Sequence, residues 1–280
     1  METPEVHIIG SGVMGTGIAR LHLNLGRNTW IFVRDDREHA SLVASIQTAY
    51  RKNEKRIGVS WETYCSKLRV SNVLEDLRDA KFVLEAVTED MDIKKAVYQE
   101  IVPYIRPEAL IATNTSSLSI TELAGCVPDS RRFLGIHFFN PATSMKLVEL
   151  VKGMATSHET VAQAVDIVRS LGKEPVFVEE SPGFIVNRLL IPMINEAVGI
   201  LSENLASRDD IDKAMVLGTN HPMGPLRLAD LIGNDVVLKV MEILHQETGD
   251  PKYRAHPLLR KYVHSNWLGR KTRKGFYDYE

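Results

Sequence analysis

The sequence predicts an α/β chain in two parts, a parallel-sheet domain followed by an all-α domain, and three features carry that prediction. Through the first two-thirds, short apolar runs of strand length alternate with amphipathic stretches, the pattern of βαβ units. A glycine-rich turn, Gly10-Ser11-Gly12-Val13-Met14-Gly15, joins the first apolar run to the first helical stretch. After Ser181-Pro182-Gly183 the strand runs stop and helical patterns take over, so the expected domains are 1–182 and 183–280.

In order, Val6-His7-Ile8-Ile9 reads as a strand, 15–26 as a helix and Trp30-Ile31-Phe32-Val33 as a second strand. A long amphipathic helix is expected over 37–56, then short strands near Leu68-Arg69-Val70 and at Phe82-Val83-Leu84-Glu85-Ala86-Val87. A helix over 91–104 and the strand Leu110-Ile111-Ala112-Thr113 follow. Further strands are expected over 133–138, 147–151 and 176–178, with a helix over 157–171 whose Val161, Ala164, Val165 and Val168 have helical spacing. The second part reads as helices over 184–204, 208–218, 226–247 and 257–264. The stretch from Phe184 through Leu201 is apolar on most sides, which fits a helix buried between domains or subunits, or the inner helix of a helical domain.

Composition narrows the function classes. With 44% hydrophobic and 25% charged residues over 280 positions, the chain is globular, and a net charge of −2 without long charged blocks points away from nucleic acid and anionic membranes. Cys65 and Cys126 are far apart and lack a CxxC or His-rich companion, so neither a disulfide framework nor a metal site is expected and a reducing compartment is. No apolar run approaches the ~20 residues that span a bilayer. Met1-Glu2-Thr3-Pro4-Glu5 has no leader character and the closing Tyr277-Asp278-Tyr279-Glu280 no sorting or lipidation signal, so a cytoplasmic location is expected.

The glycine turn stands where a Rossmann-like dinucleotide-binding domain needs it. Gly10 permits the tight turn, Gly12 lets the backbone approach a pyrophosphate, and Gly15 lets the helix pack close, its N-terminus facing the phosphates. Asp35, twenty residues past Gly15, would accept hydrogen bonds from an adenosine ribose and favour NAD, with Asp36 as the other choice. Arg34 and Arg37 flank it and would suit a 2′-phosphate, which leaves NADP open.

Two titratable residues interrupt apolar runs further on. His137 lies in Phe133-Leu134-Gly135-Ile136-His137-Phe138-Phe139, and Glu149 in Leu147-Val148-Glu149-Leu150-Val151. If the runs form a hairpin across Asn140-Pro141-Ala142-Thr143-Ser144, pairing symmetric about Thr143 puts His137 opposite Glu149 on one face. That is a general base with an orienting carboxylate, or else a satisfied core histidine beside an unrelated acid. Imidazoles titrate near neutral pH, so the first reading suits removal of a proton from an alcohol. Ser116 follows a strand and can lie at the carboxyl edge of the sheet, although Asn114-Thr115-Ser116-Ser117 also reads as capping for a helix at 119–124.

Several segments in order resemble the 3-hydroxyacyl-CoA dehydrogenases. They are Gly10–Gly15, Glu85-Ala86-Val87, Asn114–Ser119, His137-Phe138-Phe139-Asn140-Pro141, Pro182-Gly183-Phe184-Ile185-Val186-Asn187-Arg188 and His221-Pro222-Met223-Gly224-Pro225. The second half is especially similar to the short-chain 3-hydroxybutyryl-CoA type, down to Trp267-Leu268-Gly269-Arg270-Lys271 and Gly275-Phe276-Tyr277-Asp278-Tyr279. The resemblance implies an NAD-binding Rossmann-like domain followed by an all-α C-terminal domain that forms a homodimer, and an acyl-CoA substrate. It implies His137 as catalytic base, Glu149 as its partner, and Ser116 and Asn187 near the reacting oxygen. For the cofactor it carries over Gly10, Gly12, Gly15, Asp35, Ala86, Glu89, Lys94, Asn114, Ser116, Asn140 and Lys271. Asp35 departs from the family pattern, standing about two residues further from the third glycine. Arg51-Lys52-Asn53-Glu54-Lys55-Arg56 is either a docking surface for coenzyme A phosphates or a solvated helix face. The alternatives are a related dehydrogenase of carnitine or a sugar acid, and a nucleotide-binding protein without turnover.

Overall fold

A computed structural model describes residues 5–280, apart from the side chain of Asp36. The chain divides into two compact units, Met1–Ser181 and Pro182–Glu280. The first is an eight-stranded sheet flanked by helices. Its strands are β1 (Val6–Ile9), β2 (Thr29–Phe32), β3 (Leu68–Ser71), β4 (Phe82–Glu85), β5 (Leu110–Thr113), β6 (Phe133–Phe138), β7 (Leu147–Lys152) and β8 (Glu174–Glu179). They lie in the order β3-β2-β1-β4-β5-β6-β7-β8. The first six run parallel, β7 turns antiparallel to β6, and β8 runs parallel to β7. The order reverses between β1 and β4, the switch point where open α/β sheets bind ligands beyond their carboxyl ends.

Helices α1 (Val13–Leu23), α2 (Asp36–Arg51), α3 (Glu54–Ile57), α4 (Trp61–Cys65), α5 (Met91–Ile101), α6 (Ile120–Ala124) and α7 (His158–Ser170) complete this unit. Several begin on a side-chain cap: Asp90 accepts from the amides of Asp92 and Ile93, Ser119 from Glu122, and Ser157 from Thr160. Each such cap contributes about 1 kcal/mol. The expected helix over 37–56 is broken at Asn53, and its end becomes α3, closed by Gly58 in the left-handed region at φ 76°. Ile8, Ile18, Ile31, Leu84, Ala112 and Leu134 lie in one buried core, where each large aliphatic side chain contributes about 1.5–3 kcal/mol.

The second unit contains α8 (Val186–Ser202), α9 (Arg208–Thr219), α10 (Pro225–Ile232), α11 (Asn234–Thr248) and α12 (Pro257–His264) around a core of its own. Two expectations need correction. The helix over 226–247 is two helices, because Gly233 takes φ 107°, a conformation open to glycine and closed to a continuing helix. The stretch from 184 starts helical structure only at Val186, since Phe184 sits at φ 53°; along α8, Ile191, Ile194 and Val198 are buried while Leu189 is exposed. Among the described residues no helix is long and apolar enough to cross a membrane.

Candidate active site

The glycine turn forms between β1 and α1 at the switch point, and at two of its three glycines a side chain would clash. Gly10 takes φ 114°, and a Cβ on it would lie 2.8 Å from the carbonyl oxygen of Ala86. A Cβ on Gly15 would come within 2.0 Å of the Gly10 carbonyl oxygen. Gly12 is different: a Cβ there would meet nothing within 4 Å, so open space lies over the start of the helix. Close backbone packing at two positions and room at the third fit a pyrophosphate on the α1 N-terminus.

Asp35 caps α2, its carboxylate accepting from the Arg37 amide at 2.8 Å and from Arg37 Nε at 2.8 Å. Those bonds hold its pKa below the usual carboxylate range. The Arg37 guanidinium is thus turned onto Asp35, while Arg34 lies 3.9 Å from Glu38. The side chain of Asp36, the other ribose candidate, lies outside the described residues. Ser11 Oγ donates to Glu38 Oε2 at 2.7 Å and ties the glycine turn to α2, a contact that the spacing of glycines did not signal.

On the hairpin, β6 and β7 pair in the expected register, with His137 opposite Glu149. His137 Nδ1 lies 2.8 Å from Glu149 Oε2, and both residues are buried. An ionised carboxylate accepts, so this contact suits a proton on the imidazole Nδ1. Asn114, just past β5, accepts from the Phe138 amide at 2.9 Å and locks the end of β6 beside the histidine. Asn140, next in line after Phe139, is exposed at the start of the hairpin loop.

Ser116 is brought to a second acid. Glu89 Oε1 accepts from the Ser116 amide at 2.7 Å, Ser116 Oγ at 2.9 Å and Thr115 Oγ1 at 2.7 Å. Capping of α6 falls to Ser119 instead, which leaves these hydroxyls for Glu89. Lys94, fully buried on α5, places its ammonium 3.5 Å from Glu89 Oε2 and 2.6 Å from Glu85 Oε1. Burial alone would raise the Glu89 pKa, but Lys94 and the hydroxyl and amide donors outweigh it and hold the group below its usual range. Glu85, which meets Lys94 here, was not among the expected site residues, although it stands as a charge inside the apolar run 82–87.

In the second unit, Asn187 lies in the first turn of α8 and Lys271 Nζ pairs with Asp235 at 2.6 Å. His221 occupies the turn between α9 and α10. Among the described residues no group of three or more His, Cys, Asp or Glu is placed to hold a metal ion.

Comparison with known proteins fixes the family. Residues 5–181 match the family description "3-hydroxyacyl-CoA dehydrogenase, NAD binding domain" and residues 183–279 match "3-hydroxyacyl-CoA dehydrogenase, C-terminal domain". The chain belongs to the 3-hydroxyacyl-CoA dehydrogenase family. As in that family, a Rossmann-like unit precedes a helical one, the cofactor is NAD, and the protein is an oxidoreductase. The chain is 46% identical over 278 residues to the 3-hydroxybutyryl-CoA dehydrogenase of Clostridioides difficile, covering 98% of this chain and 99% of that protein. A protein of the same name from Bradyrhizobium diazoefficiens is 43% identical, over 98% of this chain and 95% of its own. The crystal structure of (S)-3-hydroxybutyryl-CoA dehydrogenase PaaH1 from Ralstonia eutropha superposes with a TM-score of 0.94 at 42% identity, over 100% of each chain.

Proposed function

We propose that this protein interconverts (S)-3-hydroxyacyl-CoA and 3-oxoacyl-CoA of short chain, 3-hydroxybutyryl-CoA and acetoacetyl-CoA foremost, with His137 as general base. The observation that carries the reading is the buried 2.8 Å contact between His137 Nδ1 and Glu149 at the carboxyl end of a parallel strand. In the oxidising direction His137 Nε2 takes the hydroxyl proton, and Glu149 stabilises the imidazolium that results. Bound NAD supplies the hydride acceptor at the nicotinamide C4. Ser116 and Asn187 meet the reacting oxygen, the role their family positions imply. Gly10, Gly12 and Gly15 would hold the pyrophosphate and Asp35 the ribose, with Ala86, Glu89, Asn114, Asn140 and Lys271 as further cofactor contacts; Lys94, expected among them, is fully buried between Glu85 and Glu89 and would act through Glu89 instead. The exposed Arg51, Lys52, Lys55 and Arg56 suit the phosphates of coenzyme A. A homodimer through the C-terminal unit and a cytoplasmic location belong to the same reading, supported by similarity along the whole chain to bacterial enzymes of this kind.

The test is nicotinamide absorbance at about 340 nm with acetoacetyl-CoA, free acetoacetate and carnitine, using the reduced or oxidised cofactor as each requires. Turnover with acetoacetyl-CoA and NADH is expected. Activity confined to carnitine would transfer the protein to the related hydroxy-acid dehydrogenases, and tight NADH binding without turnover would make it a nucleotide-binding protein.

A further inference from the structure

Glu85 is the last residue of β4 and is fully buried in the middle of the sheet, paired in register with Ile9 on β1 and Thr113 on β5. Its two oxygens take different partners. Oε1 accepts from the Val87 amide at 2.7 Å and from Lys94 Nζ at 2.6 Å; Oε2 accepts from Thr113 Oγ1 at 2.7 Å and from the Tyr98 hydroxyl at 3.4 Å. Neutral donors would have satisfied a carboxylate with a purely structural task. Instead a lysine 1% exposed is drawn in from α5, although burying both charges costs desolvation that largely offsets their attraction.

What the lysine does next makes sense of that cost. Its ammonium stands between two carboxylates, 2.6 Å from Glu85 and 3.5 Å from Glu89. Glu89 divides its work in the same way: Oε2 faces Lys94, while Oε1 gathers Thr115 and both the amide and the hydroxyl of Ser116. We propose that Glu85 is a positioning residue of this active site: through the Lys94 ammonium it fixes Glu89, and through Glu89 the hydroxyl of Ser116. The proposal rests on the functional reading above, in which Ser116 meets the reacting oxygen. Without Glu85, Lys94 has Glu89 as its remaining counter-ion and moves onto it, and Glu89 turns away from the serine.

Glu85→Gln keeps the size and shape of the side chain and removes its charge. At about pH 6 we expect kcat with acetoacetyl-CoA to fall roughly a hundredfold with KM little changed, the cost of about 1 Å of misplacement at a reacting centre. The split between kcat and KM separates positioning from folding. The titratable groups around Lys94 are Glu85 on β4, Glu89 in the following loop and Tyr98 on α5, with Cys126 after α6 acting on Tyr98. Burial and the neighbouring Glu85 push the Tyr98 phenol well above its ordinary value, so it stays neutral through the assay range. In the variant Lys94 loses its nearer counter-ion and keeps Glu89, so the disturbance reaches Ser116 through Glu89 and not through the sheet core.

A loss of kcat at near-wild-type KM, measured well below the melting temperature of the variant, is the expected result. Glu122→Gln, which breaks the exposed pair of Glu122 with Lys95 next door, should change neither. A Glu85→Gln enzyme with the wild-type kcat overturns the positioning role, as does a variant whose activity merely follows its Tm. Should the wild type itself fail to turn over acetoacetyl-CoA, the functional reading has failed instead.

Discussion

The two units bury acids of the same kind for opposite ends. In the sheet unit Glu149 and Glu85 face titratable partners, an imidazole and an ammonium, at the carboxyl edge of parallel strands. In the helical unit Asp230 accepts from the amides of Phe276 and Tyr277 at 2.9 Å and from the Tyr279 hydroxyl at 3.0 Å. Asp212 likewise takes the amides of Leu226 and Arg227 and the Tyr277 hydroxyl. These two carboxylates stitch the closing segment and the start of α10 into the core. Gly275, whose Cβ would fall 1.9 Å from Asp230 Oδ1, shows how close that seam is. Burial of an acid therefore does not by itself indicate chemistry; the partners differ, an imidazole and an ammonium in the sheet unit against backbone amides and phenols in the helical one.

Breaking each kind of pair should give different signatures. The largest effect belongs to His137→Ala: kcat in the 340 nm assay falls roughly 100- to 10,000-fold, while NADH binding, followed by fluorescence, changes by no more than about twofold. Asp230→Asn should do the reverse, lowering unfolding free energy in urea by about 3 kcal/mol with turnover per folded molecule retained. A third class of buried polar group sharpens the contrast, because His7 Nδ1 and both ring nitrogens of His22 are buried without a hydrogen-bond partner. Burial lowers their pKa values to about 4 and about 3, so both stay neutral in the fold at physiological pH. The unfolded chain takes up those protons first, so stability is fully present above the ordinary imidazole pKa and falls as pH drops toward 4, by about 1.4 kcal/mol per pH unit for each group. Urea titrations at pH 7 and below should show that slope, and His22→Leu should flatten it. The smallest effect is expected of Asp35→Asn, which removes a charge from the half-buried N-cap of α2: about a tenfold loss of NADH preference over NADPH, read as the ratio of kcat/KM.

Much of the sheet unit was legible because its signals are local and periodic. Glycine spacing announced the switch-point turn, and the two-residue period of strands put His137 across from Glu149 once the loop was centred on Thr143. Lys94 was harder: on α5 it looks like an ordinary polar helix position, and only the sheet beneath shows that its stem runs inward to Glu85. The helix break at Gly233 escaped because apolar spacing continues across it while the backbone does not. The acids of the second unit were illegible as structural residues, since their partners are amides some fourteen to forty-seven positions away, which leave no mark in composition.

The account turns on which nitrogen of His137 holds the proton, and long-range 15N–1H correlation NMR on histidine-labelled protein reads that directly. At neutral pH the geometry predicts the Nδ1–H tautomer, bonded to Glu149, with Nε2 unprotonated, and Glu149→Gln should disturb that signal together with kcat. A neutral His137 protonated at Nε2, or a Glu149→Gln enzyme with unchanged tautomer and turnover, would contradict the claim that this buried pair is built for proton transfer.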